Sequence, residues 1–364
     1  MFGKILKMSI GLIWAALAFI LYKIAFNYPM IVEQVYSRRV YAVLASTVAQ
    51  VTAHLPFSLA EFLLYFLIIF IVAFVIYIIS ALFKEKGERC ENFFKRLFSL
   101  ITVFCVIFSM FVYFWGLNYA RMPLSYTMEL DTSSGYTVSE LRELTVELIE
   151  TSNALREEVP EDGKGVFTYS RSRQEILSSI KDIYARYAPS YANVSAPSLV
   201  KGVTVPNLMS VTRTMGIYSP FTFECNVNMQ MPDLDFAVTA GHEYAHLQGF
   251  AREDEANFLA WFILKESDDP EIRYSAYMLA TEQALSRYHK ADPKGYADIY
   301  YMMSEKLQRD LAANREYWDR FDTEVAKTSD KVYSHYLEYN GIDDGLKSYG
   351  RMLDLMLALK KSSV

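Results

Sequence analysis

Cysteine is scarce in this chain: only Cys90, Cys105 and Cys225 occur in 364 residues. Cys90 lies between two apolar segments and Cys105 inside one, so no disulfide framework is available to the rest of the chain, which must rely on its core. None of the three stands in a CxxC or CxxH pairing, which excludes a thiolate zinc site, and Cys225 reads as a small buried apolar residue. A dense basic stripe is also lacking. The formal net charge is -6, and Lys and Arg gather only beside apolar stretches, so nucleic acid is not an expected partner. Internal repeats and low-complexity linkers are missing as well. What the chain has in quantity is apolar side chains, 52% of the total, and they are concentrated at one end.

Three stretches of about 20 predominantly apolar residues qualify as membrane-spanning helices: Ile10 to Phe26, Phe57 to Phe83, and Leu97 to Leu117. No small-x-small cleavage site follows the first at Asn27, Tyr28, Pro29 and Met30, so it reads as an uncleaved anchor. Lys4 and Lys7 precede the first stretch, and Lys84, Lys86, Arg89, Lys95 and Arg96 crowd the link between the second and third. The positive-inside rule then puts both segments in the cytoplasm. The loop from Asn27 to Pro56, with only Arg38, Arg39 and His54, falls outside, as does everything after the third stretch. Tyr113, Phe114, Trp115 and Tyr119 mark an outer aromatic belt. The expected division is a membrane anchor over 1–119 and an extracytoplasmic domain over 120–364, in a multi-pass protein of the bacterial cell membrane.

The second part reads as mostly α with a small β-sheet. Thr137-Val138-Ser139-Glu140 has capping-box spacing ahead of a helical apolar pattern that runs to Leu155, and a second amphipathic helix is predicted over Ser172 to Tyr187. Pro189, Pro197, Gly202, Pro206, Gly216 and Pro220 punctuate a looped stretch. Phe221 to Asn228 alternates apolar and polar residues, a strand signal. That strand is either an edge on which a peptide docks or simple cover for the core. Beyond Glu255 the pattern is helical, with breaks near Pro270, Pro293 and Gly341.

Residues 242 to 246 read His-Glu-Tyr-Ala-His, after an apolar run and Asp235, a candidate N-cap, which places all five on a helix. Positions i and i+4 share a face, so His242 and His246 can converge on one zinc ion while Glu243 serves as general base to a water the metal activates. HExxH alone is moderately specific, because a helical His pair with ordinary hydrogen-bond partners is the bland alternative. Gly249 follows as a helix C-cap that turns the chain back. A new helix then opens with Glu253-Asp254-Glu255-Ala256-Asn257. Glu253 is the favoured third ligand; Glu255 is the alternative, its acid being equally suited to a helix dipole.

Glu253-x-x-Ala256-Asn257 resembles the glutamate-zincin pattern, which implies Glu253 as zinc ligand and Asn257 as the residue that orients a zinc-binding His by hydrogen bonding. The link from His246 is shorter than in most thermolysin-like enzymes. Arg252 stands where the metzincin HExxHxxGxxH pattern has its third His and cannot bind zinc. With its three apolar stretches, Trp115-Gly116-Leu117-Asn118-Tyr119 and Tyr218-Ser219-Pro220-Phe221-Thr222, the chain also resembles a bacterial membrane family catalogued as a domain of unknown function.

Together these features predict a membrane-anchored zinc endopeptidase acting on peptide or envelope-protein substrates. One rival is a zinc-binding sensor or regulator with little turnover, and another is a scaffold in which the motif is coincidental. For the oxyanion, His289, His335, Tyr288 and Tyr339 remain open candidates. Phe258 to Ile263 is too short an apolar run to span a bilayer and reads as core.

Overall fold

The run of Leu, Ile, Phe and Val that begins at Leu59 satisfies its backbone polar groups internally, as any segment in hydrocarbon must. In the computed structural model, which describes residues 2–84, 87–187, 199–342 and 345–362 (without the side chains of 2–9 and 347), the run is a helix. Lys86, Pro189, Pro197 and the side chains of Lys4 and Lys7 lie outside the described residues.

The chain opens with α1 (Phe2–Ala25), the short α2 (Pro29–Ile31), a π-helix over Val32–Tyr41, and α3 (Ala42–Ala53). Next come α4 (Leu59–Ile79), extended by a 3₁₀ turn to Phe83, and α5 (Arg89–Phe114). Leu59–Phe83 and Arg89–Phe114 have 25 and 26 residues and contain 18-residue stretches of mean hydropathy 3.2 and 2.4. At about 1.5 Å rise per residue either exceeds the roughly 30 Å of a hydrocarbon core. Three spans were expected. Two helices among the described residues are long and apolar enough, and a third exists only if Ile10–Ala25 and Pro29–Ala53, bent by 107°, form one broken span. The third apolar stretch also begins and ends earlier than its hydropathy suggests. Its helix stops at Phe114, and Gly116–Ala120 forms a 3₁₀ turn that buries Leu117, Asn118 and Tyr119.

The connection over 27–56 is not an open loop. It is helical, and Tyr41, Ala45 and Ala49 enter the main core cluster. Glu33, in this connection, is buried against Arg121 at 2.8 Å.

The remainder comprises α6 (Leu124–Thr127), α7 (Val138–Glu158), α8 (Arg173–Tyr187), β1 (Lys201–Gly202), α9 (Pro206–Val211), β2 (Gly216–Ser219), β3 (Glu224–Val227), α10 (Asp233–Leu247) and α11 (Glu253–Leu264). It ends with α12 (Pro270–Ala291), α13 (Tyr296–Tyr300), α14 (Glu305–Asp319), α15 (Glu324–Tyr339) and α16 (Met352–Ser362), so the fold is mostly α with one small sheet. The capping box at Thr137 and Glu140 opens α7 as its spacing predicts. Asp269 caps α12 at Pro270, and Gly341, at φ +86°, ends α15.

The sheet has the order β1-β3-β2, with β3 parallel to β1 and antiparallel to β2. The strand read from the alternation at 221–228 is therefore the centre of the sheet and not its edge, and it is shorter than the pattern. Phe223, at φ +53°, still belongs to the turn. All four residues of β3 are buried, whereas β2 exposes Ile217 along the outer edge.

Candidate metal centre

α10 is held at its start by Arg173, whose guanidinium donates to Asp233 and to the carbonyls of Met229 and Met231. Its N-cap is Pro232, not Asp235. Asp235 is inside the first turn, where it accepts hydrogen bonds from Asn314 Nδ2 (3.0 Å) and Trp318 Nε1 (2.9 Å).

Nine residues into the helix come His242 and His246, one turn apart on one face, with ring centroids 4.6 Å apart and nearly perpendicular planes. The helix ends in a Schellman turn. Gly249 takes φ +88°, its N–H donates to His246 O at 2.8 Å, and Phe250 N–H donates to Ala245 O at 3.1 Å. A side chain at 249 would be strained by that φ and would press on the Tyr41 ring. The reversal delivers α11 back across α10 and brings Glu253 Oε2 to 3.1 Å from His242 Nε2 and 3.6 Å from His246 Nε2. His242, His246 and Glu253 each offer one ligand atom, and these atoms lie within 4.8 Å of one another.

The outward nitrogens are occupied. His242 Nδ1 lies 2.7 Å from Asn257 Oδ1, and His246 Nδ1 lies 2.7 Å from the Phe250 carbonyl. Both oxygens are acceptors, so each Nδ1 donates to its partner and each Nε2 faces inward, the orientation a metal ligand needs. Glu253 Oε1 accepts from Tyr333 at 2.6 Å, its Oε2 faces the two Nε2 atoms, and Glu243 Oε2 is buried without a hydrogen-bond partner. Two inward-facing Nε2 atoms and two buried carboxylates make a donor set suited to a divalent cation, which would displace the protons the imidazoles share with Glu253. Glu255 points elsewhere: Oε1 accepts from Leu124 N–H at 2.7 Å, at the start of α6.

Charge is strongly coupled here. Burial opposes ionisation of Glu253, but His246 and His242 outweigh it and hold that carboxyl well below the usual range. Burial also opposes a charged His246, yet the Glu253 and Glu243 carboxylates raise its pKa to about 9. Burial pushes Glu243 up to about 7 against the pull of the two histidines. Glu243 Oε1 lies beneath Gly216 of β2, where any Cβ would fall inside van der Waals contact. The glycine lets the outer strand cross directly over the carboxylate.

An aromatic wall completes the site, and sequence reasoning missed most of it. Trp115 meets the His246 ring edge-on at 5.9 Å and packs on Tyr218 at 4.8 Å. Tyr41 donates to Leu247 O at 3.0 Å, and its hydroxyl lies 2.9 Å from that of Tyr218. Tyr349 stacks on His242 at 6.3 Å. Arg121 donates to Gly249 O at 2.9 Å and to both oxygens of Glu33, with its guanidinium 4.1 Å from the centroid of the Phe250 ring. Of these, only Trp115 and Tyr218 stood in stretches marked by sequence. The candidates marked for the oxyanion face other groups: His289 packs on Tyr296, His335 pairs with Glu338, Tyr288 bonds Asp292 and Tyr339 stacks on Tyr22. Tyr333 is a hydroxyl that reaches the centre, from 80 residues away in the chain.

No curated protein and no solved structure matches this chain. A family model described as "Protein of unknown function (DUF3810)" matches residues 36–357, from inside the π-helix to α16, and the chain belongs to that family.

Proposed function

We propose that the protein is a membrane-anchored zinc-dependent peptidase in which His242, His246 and Glu253 hold the ion and Glu243 is the general base. The observation that carries this reading is the convergence of two Nε2 atoms, each ring held from behind at Nδ1, on a Glu253 oxygen, beside the buried Glu243 whose Oε2 has no hydrogen-bond partner. A bound zinc ion supplies Lewis acidity and lowers the pKa of water at its open position toward neutrality. Glu243 takes a proton from the attacking water and returns it to the leaving amine as the C–N bond breaks. Asn257 and the Phe250 carbonyl fix the two imidazoles, and Tyr333 fixes Glu253. The edge of β2, which pairs with no second strand among the described residues, would offer backbone groups to an extended peptide running past Glu243, on which Gly216 lies.

The same reading orients the chain. Glu224 of β3 accepts from Leu59 N–H and Ala60 N–H at the start of α4, and Trp115 ends α5 against His246, so both membrane helices meet the globular part at one end. Lys84, Arg89, Lys95 and Arg96 lie at the other end, which the positive-inside rule assigns to the cytoplasm. The centre is then extracytoplasmic.

A second reading, a metal-binding regulator with negligible turnover, draws on the burial of the site: His246, Glu243 and Glu253 are only 8%, 4% and 1% exposed. The full chain purified from metal-replete cells is expected to carry one zinc equivalent, and His246→Ala to lose it. A metal-free wild-type protein contradicts both readings.

A further inference from the structure

Six large apolar side chains are exposed between Val205 and Phe221; the other such run in the globular part, among the described residues, is the three-residue stretch from Tyr300 to Met302. Ile217, Val205 and Leu208 are 53%, 48% and 47% exposed, whereas Val138, Val325 and Val332 stand apart on charged helices. The cluster is ordered. Leu208 and Val211 lie three residues apart on one face of α9, and Val205 is its N-cap residue. On the buried side Ser210 accepts from Asn228 Nδ2 at 2.8 Å and meets the Tyr317 hydroxyl at 3.1 Å. A contiguous exposed apolar face on an otherwise polar domain marks an interaction surface.

Its position shows what covers it. The segment is bolted to the first turn of α4: Thr204 N–H and Val205 N–H donate to Glu61 at 2.8 and 3.0 Å, and Lys201 Nζ donates to Phe57 O at 2.9 Å. Phe57 and Phe62, exposed at that turn, begin the lipid-facing surface of α4. The apolar face is therefore continuous with a membrane-spanning surface, and exposed Arg213 beside it can meet lipid phosphates.

We infer that the α9–β2 segment lies in the outer interfacial layer of the bilayer, beside the start of α4, as a second membrane contact. The inference rests on α4 as a spanning helix and is independent of metal or catalysis. Its consequence for the proposed peptidase is a substrate class. β2, which crosses Glu243, is held at the lipid surface, so the cleaved segments are those within a few residues of a bilayer, in membrane or lipid-anchored proteins.

The test uses the full chain, with Cys90→Ser and Cys105→Ser, in nanodiscs of phosphatidylcholine and phosphatidylglycerol. Nitroxides are attached at Leu208→Cys or Val211→Cys, with Val332→Cys as the aqueous reference. Labels on α9 are expected to collide several-fold more with oxygen and several-fold less with an aqueous nickel complex than the label at 332. Collision profiles equal to the reference at both positions overturn the inference. So does dipolar broadening that disappears on dilution with unlabelled chain, which would make the occupant a second copy. Because the readout needs no zinc and no turnover, its failure leaves the peptidase reading standing, and the reverse holds as well.

Discussion

Residues 242–257 and residues 29–53 meet at the same centre but belong to it in different ways. The first segment carries the candidate ligands within sixteen residues, and every relation among them is local: one helical turn between histidines, one glycine-dependent reversal, and one further turn from Glu253 to Asn257. The second supplies no candidate ligand. It contributes Tyr41, which grips the carbonyls of the last turn of α10, and Glu33, which holds the arginine that holds Gly249. One segment carries the candidate ligands, and the other sets how the first is held against the end of α5.

The comparison predicts separable effects. Arg121→Leu should have the largest. It strands Glu33 as a buried charge that retains only Arg38, and loss of one partner of such a pair costs about 3–5 kcal/mol. Denaturant unfolding of the detergent-solubilised chain should show it; an unchanged midpoint would mean the clamp is not structural. Asn257→Ala should do the reverse, weakening zinc binding by about 10- to 100-fold through the freed His242 ring while changing unfolding little. Competition with a zinc chelator measures the affinity, and a variant that destabilises the fold without altering zinc binding would dissolve the distinction. Tyr41→Phe should be smallest, about 0.5–1.5 kcal/mol of stability with zinc affinity retained, since it removes a hydroxyl and keeps the ring packed on Trp115.

The same contrast explains what was legible in the sequence. His242, Glu243 and His246 were read from spacing because a helix makes i and i+4 neighbours whatever surrounds it, while Glu253 was read from its place at the start of the next helix and Asn257 from the resemblance to the glutamate-zincin pattern. Gly249 was read because a left-handed cap favours glycine. Thr137 and Glu140 were equally local. Glu33 and Arg121 are 88 residues apart, and Tyr333 and Glu253 are 80 apart, so no periodicity links them. The central place of β3 was hidden for a related reason. Its alternating pattern suits a strand covered on one face, yet polar Glu224 and Asn226 are also buried, Glu224 by capping α4 and pairing with Lys201 at 2.6 Å. The first apolar stretch looked like a simple span because hydropathy does not register the bend of 107° that follows it.

The central claim is that residues 242–253 form a zinc site with Glu243 as its base. The most direct measurement compares wild type with Glu243→Gln for bound zinc and for turnover of a peptide library in nanodiscs. The account predicts equal zinc stoichiometry and a loss of hydrolysis of at least about 10²-fold, the lower end of the contribution of a positioned general base. Undiminished hydrolysis in Glu243→Gln, or a wild-type protein that binds no zinc, would contradict it.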